Sequence, residues 1–458
     1  MPRWGLLGVT FLVGCFDPTY PAAGGDGGPG GVDGRPLGCD GSDCRAPVAE
    51  LPAATATRRL DLLFVVDNSS SMTEEQQALT GSFPRLVAAL QGGGGGLPDL
   101  HLGVVSSDLG TGYETETCSG EGDEGILQNT ARGACSPPDG RFISDVASGG
   151  GRDKNYSGSL ADAFTCIAAL GIDGCGIEQH LGSMKRALDG SNPENFGFLR
   201  DGSFLGVIVV ADEDDCSASD TRLFDPSGSL DDIDSIYGNY TSFRCTEFGV
   251  ICDGRTLPRS AGTYASCQSR ADSAYLFPPR AHADFLRSLR PLTHLFVAAI
   301  AGPPSPFAVI LSNGKPDLDF SCRSGSGVAD PAVRLHELVD ELPGHGMSVS
   351  ICDPDPGARM EEIGRQLSTR LAGSCLWQPV RDVSPAAGLQ PDCVVWQQVG
   401  STRTSVPACG NGAPQPRFLL VADAALCPYG PDQLRLSVQR STAAPAGATY
   451  VVECLRPL

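Results

Sequence analysis

The strongest pattern along this chain is a set of short apolar runs that stop abruptly at polar residues. Leu62-Leu63-Phe64-Val65-Val66 is followed at once by Asp67-Asn68-Ser69-Ser70-Ser71. A run this short and this uniformly bulky does not suit an exposed helix. It reads as a strand buried on both faces, the signature of a parallel sheet. Thr73, Glu74 and Glu75 then suit a helix N-terminus, with the helix running through Leu79 to Leu90. Leu100 to Val105 is a second strand, closed by Ser106-Ser107-Asp108. Leu205 to Ala211 is a third, closed by Asp212 and followed by Glu213, Asp214 and Asp215. Helical periodicity marks Leu160–Leu170, Ile177–Leu188, Ala281–Leu289, Pro331–Leu342 and Arg359–Leu371. Further strands fall at His294–Ile300 and Met347–Ile351, and residues 302–330 read as loop. Alternating strands and helices predict an α/β fold, a doubly wound and mostly parallel sheet.

That pattern occupies residues 58–372. Two polar stretches interrupt it, at about 111–156 and 216–273, each carrying cysteines. Long structureless loops inside a domain are functional or stapled, and a Cys118–Cys135 staple is the simplest expectation for the first. Past Cys375 the helical period disappears. Short apolar runs between Pro and Gly turns predict a small β-rich module over 373–458, stapled by cysteines. Residues 16–57 are rich in Gly, Pro, Asp and Ala and read as a flexible tether, with Cys39 and Cys44 near enough for a small local loop.

The chemistry lies at the strand ends. One carboxylate and two hydroxyls, Asp67, Ser69 and Ser71, leave a strand at the edge where open α/β sheets bind ligands. A cluster of hard oxygens, with no His or thiol nearby in sequence, suits Mg²⁺, Mn²⁺ or Ca²⁺ rather than Zn²⁺. Asp67-x-Ser69-x-Ser71 behind an apolar strand resembles the metal-ion-dependent adhesion site (MIDAS) of von Willebrand factor type A domains. Asp212, ending the later strand, matches the acid that completes that site. The resemblance covers 58–372 and is to cysteine-rich type A domain lipoproteins of Gram-negative bacteria. It implies a Rossmann-like fold and an ion held by Ser69 and Ser71 directly, with Asp67 and Asp212 directly or through water. One coordination position would stay open for a carboxylate from a partner. The family's Thr is missing: Ile172 stands in its place, leaving Asp173, Thr111 or water as substitutes.

Composition narrows the remaining choices. A net charge of −21 excludes nucleic acid or an anionic membrane surface as the main ligand. Eighteen cysteines with no Cys-x-x-Cys pair fit disulfides in an oxidising compartment. At the N-terminus, Arg3 precedes an apolar stretch, Trp4 to Val13, too short to span a bilayer. Leu12-Val13-Gly14-Cys15 resembles a bacterial lipobox, with 1–15 as signal peptide and Cys15 as the lipid attachment residue; a plain secretory signal is the alternative. Lipidation at Cys15 leaves an odd number of other cysteines. Phe16, rather than Asp, follows it and points to the outer membrane.

No catalytic signature is present. There is no Gly-x-Ser-x-Gly and no His-Glu-x-x-His, and His336 and His345 read as surface residues. Gly120-x-Gly122-x-x-Gly125 matches a dinucleotide fingerprint in spelling only, because it follows no strand and contains Glu121, Asp123 and Glu124. The expectation is a non-enzymatic, lipid-anchored envelope protein that binds a carboxylate-presenting protein or surface ligand through a divalent cation, in adhesion or assembly. The alternatives are a structural envelope protein with a vestigial metal site, and a metal-assisted hydrolase using Asp212 to Asp215.

Overall fold

The structure, a computed structural model, describes residues 45–457 apart from 54–57, 94–95, 133, 228–230, 326, 386–387 and 411–412. The signal segment, Cys15, Cys39, Cys44 and most of the expected tether lie outside the described residues. The elements in chain order begin with β1 (Arg45–Pro52), β2 (Arg59–Val66), α1 (Thr73–Gly92), β3 (Asp99–Ser106), β4 (Ile143–Ser148), β5 (Gly151–Lys154), α2 (Leu160–Ala168), α3 (His180–Leu188) and β6 (Phe204–Val210). The second insertion carries α4 (Phe243–Gly249), β7 (Val250–Cys252), β8 (Arg255–Thr256), β9 (Gly262–Tyr264) and β10 (Cys267–Ser269). Then follow α5 (Pro279–Leu289), β11 (Leu295–Ala301), β12 (Phe307–Ser312), β13 (Lys315–Leu318), β14 (Cys322–Ser324), β15 (Gly327–Ala329), α6 (Val333–Asp340), β16 (Gly346–Ser350) and α7 (Pro356–Leu371). The last strands are β17 (Cys393–Val399), β18 (Thr402–Val406), β19 (Arg417–Ala422), β20 (Leu434–Gln439) and β21 (Thr449–Leu455).

The chain divides into two compact units, one from Ala56 to Gly373 and one that joins the N-terminal strand to Ser374–Leu458. The larger unit is mixed α/β, built on a seven-stranded sheet of order β16-β11-β6-β2-β3-β4-β5. Strands β16, β11, β6, β2 and β3 are parallel; β4 and β5 continue the sheet antiparallel. The alternation along β2 explains its burial on both sides. Leu60, Leu62, Phe64 and Val66 face α1, α2 and α7 through Phe83, Phe164 and Ile363. Leu63 and Val65 face α3, α5 and α6 through Met184, Leu286 and Leu335. Such an arrangement is compatible with a Rossmann-like fold.

The opposite end of β2 is fixed by a buried charge. Asp61 accepts from Arg200 Nε and the Arg200 backbone, both at 2.7 Å, and from the Ser203 hydroxyl. Glycine sets the spacing of α1 and α7: a Cβ on Gly364 would lie 2.7 Å from Ala89 Cβ and 2.8 Å from the Leu86 carbonyl.

The cysteines pair differently from the simplest expectation. Cys118 bonds Cys175 and Cys135 bonds Cys166, so the first insertion is tied to α2 and to the segment before α3 rather than to itself. Cys216–Cys245 and Cys252–Cys267 staple the second insertion, and Cys322–Cys352 holds the stretch before α6. Residues 302–330 are not loop, because β12 and β13 form a hairpin extended by β9, and β14 pairs with β15. Polar spacing and turn residues hid these short strands.

In the smaller unit, β1 pairs antiparallel with β21 in a sheet of order β1-β21-β17-β18, beside the β19–β20 hairpin. Residues 45–52 are therefore a core strand, although their composition matched the tether: Val48 and Leu51 pack with Trp377, Tyr450 and Val452. Cys375–Cys427 and Cys393–Cys454 staple this unit. Among the described residues, no helix is long and apolar enough to cross a membrane.

Candidate functional site

Three parallel strands end together at one edge of the large sheet, which brings the residues singled out from sequence to one place. The Asp67 N–H donates to the Val210 carbonyl at 2.9 Å, so the turn after β2 is sewn to the end of β6. The Ser107 N–H donates to the Val66 carbonyl at 3.1 Å and sews the end of β3 to the same turn. Gln76 of α1 locks the turn from outside, donating through Nε2 to the carbonyls of Asp67 and Gly171, each at 2.9 Å. The result is a rigid edge carrying Asp67, Ser69, Ser71 and Asp212.

The Asp67 carboxylate is fully buried and has no oxygen to spare. Oδ1 accepts from the Ser69 N–H at 2.8 Å and from the Ser107 hydroxyl at 3.3 Å. Oδ2 accepts from His180 Nε2 at 3.2 Å. Burial works against charge on the His180 imidazole. The hydrogen bond and charge of Asp67, with Asp215 and Asp214 behind it, outweigh burial and raise its pKa above the ordinary histidine value. Ser69 Oγ and Ser71 Oγ lie 3.2 Å apart, within hydrogen-bond reach of each other. Ser71 donates to Asp212, whose other oxygen is buried without a donor. Burial, then repulsion from Asp67 and Glu213, hold the Asp212 carboxyl well above the usual carboxylate range.

The geometry overturns the expected cofactor. Among the described residues, no group of three or more His, Cys, Asp or Glu side chains is arranged to hold a metal ion. The expectation of Mg²⁺, Mn²⁺ or Ca²⁺ at Asp67, Ser69, Ser71 and Asp212 is therefore corrected, and the physical reason is visible. A buried imidazole supplies the counter-charge to Asp67 that an ion would supply. None of the substitutes for the missing Thr reaches the cluster as a ligand. Ile172 is 41% exposed, Asp173 is exposed beside it, and the Thr111 hydroxyl donates to the Tyr113 carbonyl at 2.8 Å.

The acids that follow Asp212 are occupied as well. The Asp214 carboxylate caps α6, accepting from the Arg334 N–H at 2.9 Å and the Leu335 N–H at 3.1 Å. Asp215 accepts from the Leu181 N–H at 2.9 Å and from Arg334 Nη2 at 3.0 Å. Both acids hold helices in place, α6 and α3. His345 also departs from the surface reading, since it is only 3% exposed.

Sequence reasoning placed Ser107 at the end of the second strand, but it missed His180, Glu178 and Asp330. His180 is 113 residues from Asp67 and opens α3, with no local pattern to link the two. Glu178 and Glu213 line a small cavity beside the edge, together with Asp317 and Asp330.

No family model matches the chain, and no curated protein matches it. Solved structures similar to it include the conserved hypothetical protein BatB from Bacteroides thetaiotaomicron, at 12% identity and a TM-score of 0.26, covering 68% of this chain and 97% of that one. An aerotolerance-related membrane protein from Bacteroides fragilis is similar at 10% identity and a TM-score of 0.25, covering 67% and 97%. The pilus adhesin RrgA from Streptococcus pneumoniae is similar at 9% identity and a TM-score of 0.28, covering 87% of this chain and 56% of that one.

Proposed function

We propose that residues 58–372 are a doubly wound type A domain whose adhesion site has become an internal ion pair, and that the protein is a structural or protein-binding module of the cell envelope. In this reading the chain is exported and anchored through a lipid on Cys15, at the outer membrane. It recognises its partner through the disulfide-stapled insertions rather than through an ion at the strand ends. The observation that carries the reading is the Asp67–His180 pair, in which a buried imidazole stands against the Asp67 carboxylate. Cation-gated recognition needs an acid free to exchange ligands, and Asp67 is not free. The stapling of 216–273 by Cys216–Cys245 and Cys252–Cys267 supports the other half, because a preorganised loop binds at a lower entropic cost.

The test uses the lipidated protein in its own cells. A photo-crosslinking residue is placed in the second insertion at exposed Ile236, and crosslinking is run with EDTA and with added divalent cations. The expected result is the same discrete crosslinked partner in both, lost from a Cys216→Ser/Cys245→Ser variant. Crosslinking that requires a divalent cation overturns the reading. A Cys15→Ser variant separates anchoring from recognition: it should leave the membrane fraction.

A further inference from the structure

A sheet ends where its last strand leaves backbone N–H and C=O groups unpaired, and proteins guard such edges with charge, proline or a bulge. In the two largest sheets the edge strands are β5, β16, β1 and β18. β5 is guarded by charge, as Gly151-Arg152-Asp153-Lys154. β1 is guarded by Pro47, Glu50 and Pro52, with a register shift between Pro47 and Ala49. β16 has no charge, but its side chains are half-buried throughout and the Ser350 carbonyl accepts from Arg359 Nη1. β18 is different. Thr402, Arg403, Thr404 and Ser405 are all exposed, the strand contains no proline, and among the described residues it pairs with β17 alone.

The turn before β18 fixes which of its backbone groups face outward. Val399 pairs with Thr402 across the two-residue Gly400-Ser401 turn, in which Gly400 has a φ of 57°. The closing pair of such a hairpin is hydrogen-bonded, and hydrogen-bonded and non-hydrogen-bonded pairs alternate from there. The backbone groups of Thr402, Thr404 and Val406 are therefore turned to β17. Those of Arg403 and Ser405 are turned to the open side.

That open side is complementary to itself. Two copies of β18 set antiparallel about Thr404 bring Arg403 of one opposite Ser405 of the other, and each such pair exchanges its N–H···O bonds. Thr404 then faces Thr404, and Thr402 faces Val406, pairings of β-branched side chains that suit a sheet. No charge meets its like directly across the seam. Arg403 faces a serine, and its guanidinium is held by Gln398 Oε1 at 2.9 Å and Glu453 Oε1 at 3.2 Å. The strands behind are fixed, because Cys393–Cys454 ties β17 to β21. The charge of this unit permits the approach. Residues 45–55 and 374–458 hold seven arginines and six acids, so the excess behind the net −21 lies elsewhere in the chain.

We propose that β18 is a self-association edge: a second copy of this chain adds its own β18 antiparallel about Thr404, and the two four-stranded sheets become one continuous sheet. The contact is small, a few backbone hydrogen bonds along a strand of five residues. The dimer is therefore reversible and depends on concentration. It needs neither a cation nor the disulfide-stapled insertions, and it stands apart from the proposed envelope role.

Analytical ultracentrifugation of the disulfide-intact chain from about 1 to about 100 μM tests it. A dimer should accumulate with concentration. Thr404→Lys sets two ammonium groups face to face at the two-fold axis and should weaken association at least about tenfold. Thr404 is exposed, so the thermal midpoint of that variant should stay unchanged. A second reading reports the register. Across the seam the two Thr404 residues form a non-hydrogen-bonded pair, whose Cα separation of about 4.5 Å suits a disulfide. Thr404→Cys should therefore give a disulfide-linked dimer under mild oxidation, and Thr402→Cys, which faces Val406, should not. A chain that stays monomeric up to about 100 μM overturns the proposal. So does a dimer unaffected by Thr404→Lys or linked equally through Thr402→Cys. Linkage of Thr404→Cys in cells to a different protein, in place of a second copy, overturns it as well.

Discussion

His180 Nε2 lies 3.2 Å from Asp67 Oδ2, with both side chains fully buried at the carboxyl edge of the parallel strands. The pair joins the first turn after β2 to the start of α3. Breaking a buried pair costs far more than its net contribution, because it leaves an uncompensated charge. His180→Ala should lower stability by about 3–5 kcal/mol, read by urea unfolding of the oxidised protein. A loss below about 1 kcal/mol would place the pair among weak surface contacts instead.

The same pair gives a pH dependence of known sign. The His180 pKa is raised in the folded protein by Asp67, against the effect of burial. Its stabilisation is complete below the ordinary histidine value and is lost as pH rises through the raised one. Unfolding free energies measured at pH 6 and pH 9 should differ in the native chain and differ less in His180→Asn.

Helices α1 and α7 touch at Gly364, where any side chain meets the Leu86 carbonyl and Ala89. Gly364→Val forces the helices apart and should cost about 1–3 kcal/mol through overpacking. Thermal unfolding checks it, and an unchanged midpoint would contradict the close approach.

Asp214 caps α6 through the Arg334 and Leu335 N–H groups. Asp214→Ala should cost about 1–2 kcal/mol without altering crosslinking to a partner. Lost recognition with unchanged stability would instead make Asp214 part of a binding surface.

Cys216–Cys245 closes a loop of sequence separation 29. Removing it should cost about 3–4 kcal/mol and open 216–273 to protease ahead of global unfolding. Simultaneous cleavage throughout the chain would show that the insertion has no independent opening.

How much of this was legible depends on range. The strands β2, β3 and β6 announced themselves because each carries an apolar run that ends abruptly at polar residues. Asp67, Ser69, Ser71 and Asp212 were found because parallel strands must end at one edge. The short strands between Phe307 and Ala329 were not found, since three to six residues with mixed polarity carry no period. The Arg45–Pro52 strand was hidden by its own prolines, Pro47 and Pro52, and its partner, Thr449–Leu455, lies at the other end of the chain. Disulfide partners are a matter of three-dimensional distance: Cys118 pairs across 57 residues rather than with the nearer Cys135. His180 was invisible for the same reason, and with it the residue that decides the chemistry of Asp67.

The decisive measurement is calorimetric titration of the disulfide-intact chain with Mg²⁺, Mn²⁺ and Ca²⁺, beside Asp67→Ala/Asp212→Ala. With His180 supplying the counter-charge of Asp67, neither protein should show saturable heat at millimolar cation. Saturable binding by the native chain that disappears in the double variant would contradict the internal pair and restore a cation to the strand ends.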